Sequence, residues 1–312
     1  TLRKNLRSGP ELNEGEVLDE RYCLMQRLGS GGIGTVWQAE DRSPPSGQPR
    51  IIALKILRSQ RDVNRFVRGT RRMQSLQPHK YLVEIYSEPK EFDAFHYFPM
   101  EYLPGGDLRT AVHEEKLTKE QAINAVLDAS RALEHAHQRG VFHRDVKPDN
   151  ILLTAEFHGK LSDFDFSVAL NGSMDTQNGP PGGALFSAPE LRQQDSRNSE
   201  VVPCPQADIY SIGMTAIFAL HARRITVHER EFENFFRDEF HCPENVKCVL
   251  YKAVHLRPEQ RYKSVQEFRI ALERALSGQS VENPVDVVLA ATARSQPDLA
   301  PAGPEPADAA LH

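Results

Sequence analysis

The chain changes texture once, and that change limits what it can fold into. Before Pro104-Gly105-Gly106 the apolar residues fall in short runs, Tyr22–Leu28, Gly34–Glu40 and Ile51–Leu57, each closed by Gly, Ser or Pro clusters. Such runs predict strands. Ser43–Pro49 is a loop on composition, and further strands are predicted at Leu82–Glu88 and Ala94–Tyr102. The one helical stretch here is the basic run Arg61–Leu76, with Val63, Phe66, Val67 and Met73 on roughly one face. Beyond Gly106 the period becomes helical. Thr118–Gln138 opens with Thr118 and Gln121 in capping-box spacing and is followed by Gly140. Further helices are predicted over Ala207–Leu220 and Ser264–Leu276, the latter with Ser264 and Glu267 at its start and Gly278 past its end. A strand-rich first third and a helical remainder predict an α+β, two-lobed fold: a small β-rich N-lobe with one helix and a larger, mainly helical C-lobe.

Composition narrows the class. A chain of 312 residues matches two domains or lobes at about 150 residues each, and 39% apolar with 26% charged residues is enough for a packed core. The charge sum, 38 − 43 = −5, offers no basic field for nucleic acid or an anionic membrane. Cys23, Cys204, Cys242 and Cys248 are widely spaced and form no C-x-x-C pair. They read as reduced thiols in a cytoplasmic protein rather than as a disulfide framework or a zinc ribbon. The longest apolar window, Ser211–Leu220, is far short of the about twenty residues that span a bilayer. No secretory leader is visible, and the initial Thr suggests a trimmed chain. Residues 1–17 are polar and read as an N-terminal extension. Residues 278–312, with Pro297, Pro301, Pro304 and Pro306 among Ala and Gly, read as a flexible tail or linker.

Three stretches carry chemistry. Gly29-Ser30-Gly31-Gly32-Ile33-Gly34 is a G-x-G-x-x-G, but a dinucleotide-binding loop would open a helix at its third glycine. Here Thr35-Val36-Trp37-Gln38-Ala39 alternates like a strand. The pattern is a glycine hairpin, either a plain turn or a loop whose backbone lies over phosphates. Nineteen residues after Val36, Lys55 sits inside an apolar strand, either snorkelling from a sheet edge or fixed as a cation for a polyphosphate. The run His143-Arg144-Asp145-Val146-Lys147-Pro148-Asp149-Asn150 fills six specified positions of H-R-D-x-K-P-x-N and is followed by Ile151-Leu152-Leu153.

Asp163-Phe164-Asp165 comes thirteen residues beyond Asn150, and Ala188-Pro189-Glu190 later. In order and context these motifs resemble the signature set of the eukaryotic-like (Hanks-type) serine/threonine protein kinases, in a bacterial style. The resemblance covers about residues 18–277, with the N-lobe about 18–103 and the C-lobe about 104–277. It extends to Met100-Glu101-Tyr102-Leu103, similar to the hinge, and to Asp208-Ile209-Tyr210-Ser211-Ile212-Gly213, similar to the helix behind the catalytic loop. Arg261 stands where the family keeps an Arg that pairs with the Glu190 position.

The resemblance implies an ATP-dependent protein kinase that uses magnesium and takes protein substrates. Lys55 would hold the α- and β-phosphates, Asn150 and Asp163 the magnesium, and Asp145 the substrate hydroxyl proton, with Lys147 beside the γ-phosphoryl. These roles suit phosphoryl transfer, which asks mostly for positioning and for cations on anionic oxygens. Gly29, Gly31 and Gly34 would cover the phosphates. Leu28, Val36, Ala53 and Leu152 would wall the adenine slot, with Met100 at its back. The backbone of Glu101 and Leu103 would meet the base, and Asp107 the ribose. Lys147-Pro148 matches the serine/threonine pattern.

Three departures stand out. Aligning Arg65-Phe66-Val67-Arg68-Gly69 with the family places Gly69 where a Glu pairs with the Lys55 position, and no acid lies between Val63 and Tyr81. The family's D-F-G reads Asp163-Phe164-Asp165, and Gly183 replaces a Thr that touches the catalytic Asp position. Low basal or regulated activity is therefore expected, with a regulatory partner at the Arg61–Leu76 helix; the alternative is an ATP-binding pseudokinase serving as scaffold or switch. The segment from Asp163 to Glu190 is either a switch, with Ser173 and Thr176 as phosphate acceptors and Arg144, beside Asp145, as the cation for that phosphate, or a passive loop. The basic run Arg65–Arg72 reads as a solvated helix face in preference to a site for anions or a phosphorylated loop, and His135 and His137 as surface or packing residues rather than a metal pair.

Overall fold

A computed structural model describes residues 12–30, 34–57, 62–93, 95–164, 167–169, 185–192, 205–222 and 232–279. Gly31, Asp165, Ser173, Thr176 and Gly183 lie outside them. Six strands form an antiparallel sheet: β1 Val17–Leu18, β2 Tyr22–Ser30, β3 Gly34–Asp41, β4 Ile51–Leu57, β5 Lys90–Phe92 and β6 Phe95–Met100, in the order β1-β2-β3-β4-β6-β5. Val17, grouped by sequence with the polar lead-in, is already in the sheet, paired with Cys23.

Alternation along β4 divides the lobe. Ile52, Leu54 and Ile56 join Trp37 and Tyr97 in one apolar cluster, while Ala53 and Leu57 face the other, larger core on the Lys55 side. Helix α1, Val63–Ser75, covers that second face. Its buried residues Phe66, Gly69, Thr70 and Met73 keep the i, i+3, i+4, i+7 spacing of one helical stripe, and the Phe66 ring lies 5.1 Å from Phe98. The helix runs unbroken through Gly69.

The strand predicted at Leu82–Glu88 does not form. Leu82 bridges to Leu161 and Ile85 to Met100, in different directions. The Gln77 side chain takes up backbone between them, donating to Val83 O at 2.9 Å and accepting from Ile85 N at 3.2 Å. A segment that pairs with two unrelated strands cannot propagate a ladder.

The C-lobe is built on α2 Leu108–His113, α3 Lys119–Gln138, β7 Val141–Phe142, the hairpin β8 Ile151–Leu153 and β9 Gly159–Leu161, and β10 Val168–Ala169. It continues with α4 Pro189–Arg192, α5 Pro205–His221, α6 Phe232–Asn234, α7 Glu244–Ala253 and α8 Val265–Leu276. The capping box on α3 forms as its sequence predicts: Thr118 Oγ1 accepts from Gln121 N and Gln121 Oε1 from Thr118 N. On α8, Ser264 Oγ accepts from Glu267 N, while the Glu267 carboxylate takes Lys263 N instead. Gly159 lets β9 lie directly on α3, since a Cβ there would sit 2.2 Å from Ala125 O. That contact seats the hairpin that carries the site. No described helix is long and apolar enough to cross a membrane.

Candidate active site

Between the lobes lies a cavity of about 620 Å³. Leu28, Gly29, Val36, Ala53, Met100, Leu103 and Leu152 line it at one end, and Lys55, Asp145, Lys147, Asn150 and Asp163 at the other. Glu101 and Asp107 also border it, and Gly34 closes the β2–β3 hairpin nearby, where Gly29 pairs with Val36. The two flanks of the glycine pattern are thus antiparallel strands, paired up to Ser30 and Thr35.

Lys55 is not an edge residue. Its strand lies between β3 and β6, its backbone pairs with Val36 and Phe98, and it is 8% exposed. A buried ammonium needs a compensating charge. Lys55 Nζ finds it in Asp163 Oδ1 at 3.0 Å. Asp163 adopts a left-handed backbone, φ 62°, which is uncommon outside glycine and concentrates at functional sites.

The polar cluster beside that pair is local in sequence. Lys147 Nζ donates to Asp145 Oδ2 at 2.8 Å. Asn150 Nδ2 donates to Asp145 O at 2.7 Å and to Asp145 Oδ2 at 3.2 Å. With its amide nitrogen committed, Asn150 has its oxygen left to offer. That amide oxygen and the Asp163 carboxylate are hard donors, which fit magnesium. Burial raises the Asp145 carboxyl above its ordinary value; Lys147 works against the rise and Asp163 adds to it.

The loop bearing Asp145 is bolted to α5. Asp208, fully buried, accepts from the amides of His143 at 2.8 Å and Arg144 at 2.7 Å and from His137 Nε2 at 2.7 Å. Burial opposes its ionisation, but these donors outweigh it and hold the carboxyl below its usual range. His143 Nδ1 accepts from Asp145 N at 3.2 Å, which fixes Nε2–H as the donor to Ser162 O at 2.9 Å. The loop is thereby tied both to α5 and to the residue before Asp163.

The connection between the lobes is strapped as well. Both Glu101 carboxylate oxygens lie 2.7 Å from Lys160 Nζ on β9. Leu153 N donates to Gly106 O and Gly105 N to Leu153 O. Among the described residues, the Glu101 carbonyl and the Leu103 amide make no backbone hydrogen bond. Asp107 caps α2, accepting from Thr110 N at 2.9 Å and Thr110 Oγ1 at 2.8 Å. Further out, Arg261 pairs with Glu190 through two bonds, at 2.7 and 2.9 Å.

Sequence reasoning missed some residues. Arg65, Thr70 and Met73 line the cavity with Lys55, next to Gly69, which the alignment had singled out. The basic run is therefore not simply a solvated face: Arg71 is exposed, but Arg72 is half-buried and donates to Ser167 O. The helix stripe brings its residues inward, and a guanidinium is long enough to reach a carbonyl from its margin. His137 serves Asp208, and His135 Nε2 bonds Leu76 O at 2.8 Å, so both have packing roles. No sequence signal marked Lys160 as the partner of Glu101.

Residues 22–275 match the protein kinase domain family model. The serine/threonine-protein kinase PknB of Mycobacterium leprae is 31% identical over 288 residues, 86% of this chain and 45% of that protein. The probable serine/threonine-protein kinase PknB of Lactococcus lactis is 31% identical over 207 residues, 64% of this chain and 31% of that protein. The CBL-interacting protein kinase 28 of rice is 28% identical over 261 residues, 78% and 56% respectively. The chain spans less than half the length of the PknB proteins it matches. With its two-lobed architecture and the ordered motifs around one interlobe cavity, it belongs to the protein kinase domain family.

Proposed function

We propose that residues 18–277 are the catalytic unit of a serine/threonine protein kinase, transferring the γ-phosphoryl of ATP to a protein hydroxyl. The observation that carries this reading is the convergence of Lys55, Asp145, Lys147, Asn150 and Asp163 on one cavity with an apolar far end. Leu28, Val36, Ala53 and Leu152 enclose the base, with Met100 behind it, and the Glu101 carbonyl and Leu103 amide read its edge. The backbone of Gly29, Gly31 and Gly34 is assigned to the phosphates. Asp107 lies at the ribose end, its oxygens shared with Thr110.

Asn150 and Asp163 would hold magnesium, which when bound neutralises phosphate oxygens. Lys55 contributes a second fixed cation on the α- and β-phosphates. Asp145 takes up the proton of the acceptor hydroxyl, and Lys147, already beside that carboxylate, moderates charge on the transferring group. A scaffold that binds ATP without using it has no need for the Asp145–Lys147 pair, which disfavours that alternative. Cytoplasmic placement, and a partner acting on the α1 helix, belong to the same proposal.

Radiolabel transfer from ATP to a generic protein substrate tests it, alongside nucleotide-dependent thermal shift. Asp145→Ala and Asp163→Ala should each abolish transfer in a folded protein. Asp163→Ala should also weaken magnesium-dependent ATP binding, while Asp145→Ala leaves it nearly unchanged. Full transfer by either variant overturns the assignment.

A further inference from the structure

The segment that follows Asp163 is held by the same helix that presents Gly69. Arg72 Nη1, on α1, donates to the Ser167 carbonyl and lies 3.4 Å from Ser167 Oγ. Ser167 closes back on Phe164: its amide donates to Phe164 O at 3.0 Å and its hydroxyl to the same oxygen at 2.6 Å. Phe164 is itself buried, with its ring 4.5 Å from His143. The next residue back is Asp163, in its left-handed backbone and on Lys55. One continuous chain of contacts thus runs from the helix through Ser167 and Phe164 to the Lys55–Asp163 pair.

Arg72 is an odd residue to find here unless its contact matters. Burial, and then the neighbouring Arg68, both weaken its hold on its proton. Among the described residues no carboxylate pairs with it; a backbone carbonyl takes its charge. A cation kept half-buried against a carbonyl gains a charge-assisted hydrogen bond and fixes that carbonyl in space. The family resemblance gives this position no role.

We propose that Arg72 is a positioning residue for phosphoryl transfer: by clamping Ser167 it holds Phe164 and Asp163 where Asp163 meets Lys55. The helix is coupled to the site by this route rather than through position 69. The inference rests on the kinase reading for its functional consequence, but the clamp itself can be tested separately.

Three measurements on the full chain decide it. The variants are Arg72→Met, which keeps the apolar stem, Arg72→Gln, which keeps a neutral donor should the first fail to fold, and Arg72→Lys, which keeps the charge. Hydrogen exchange of the peptide spanning 161–169 without nucleotide should quicken at least tenfold in Arg72→Met and less in Arg72→Gln. The strengthening of ADP binding by magnesium, measured as the ratio of Kd in EDTA to Kd in magnesium, should fall at least fivefold, with metal-free affinity little changed. The transfer kcat should drop tenfold or more, with partial recovery in Arg72→Lys. Unchanged exchange at 161–169 in a folded variant overturns the clamp, and so does an equal loss of metal-free and magnesium-bound affinity. A wild-type chain that transfers no phosphate would instead remove the kinase reading, while the exchange and binding results would still decide the clamp.

Discussion

Lys55 Nζ meets Asp163 Oδ1 at 3.0 Å, and the helix facing that pair brings a glycine, Gly69, to the same cavity wall. The cation and the carboxylate that serve the phosphates and the metal in the proposed mechanism thus neutralise each other. Opening the pair for substrate costs part of their attraction.

Gly69→Glu tests this arrangement. A carboxylate on that stripe gives Lys55 a second partner and releases Asp163, so the transfer rate should rise several-fold. In a Lys55→Ala background the rate gain should vanish, as a double-mutant cycle of initial rates will reveal.

The acid limb of the pH–rate profile reports Asp145. Burial raises its carboxyl, and Lys147 is the strongest influence holding it down. Transfer requires the ionised form, so the limb lies above the ordinary aspartate value of about 3.9. Lys147→Met removes the restraining cation and should move the limb to higher pH, whatever it does to the maximal rate. A limb that stays in place assigns the proton acceptor elsewhere.

Asp208→Ala strips the acceptor from two buried amides and His137. The loss should be about 3 kcal/mol at neutral pH, read by denaturant unfolding, and Asn should spare part of it. Because the folded-state carboxyl is depressed, its contribution is complete above the unfolded value near about 3.9 and disappears as pH falls through the folded one. The gap between wild type and Asp208→Ala should therefore shrink under acid.

Gly159→Ala must displace β9 from α3, because the nearest obstacle is the Ala125 backbone carbonyl rather than a flexible side chain. A loss above about 2 kcal/mol is expected, visible as a lowered Tm. The same change at Gly47, where nothing lies within 4 Å, meets no such obstacle. Its φ of 83° confines its cost to backbone strain.

What could be read from the sequence divides by distance along the chain. Asp145, Lys147 and Asn150 bond one another within five residues, so their order alone predicts the cluster. The capping box of α3 and the β2–β3 hairpin are equally local. Arg72 and Ser167 are 95 residues apart, and Glu101 and Lys160 are 59 apart. Nothing in the residue types distinguishes the half-buried Arg72 from Arg71, which pairs with Glu88 in the open. Leu82–Glu88 has strand-like residues yet pairs in two directions, a choice made by the elements around it. Periodicity reports which side of an element is apolar; it does not report what that side meets.

The strap from Glu101 to Lys160 has a consequence for recognition. A segment joining two lobes would ordinarily wander, and any ligand gripping its backbone would have to freeze it. Here the freezing happens when the chain folds, because β9 holds the connector through the Lys160–Glu101 pair and not through the Glu101 carbonyl or the Leu103 amide. A flat heteroaromatic ring arriving between Ala53 and Leu152 meets a rigid edge, so rings that match its spacing gain affinity from shape alone, and those that do not have no yielding backbone to accommodate them.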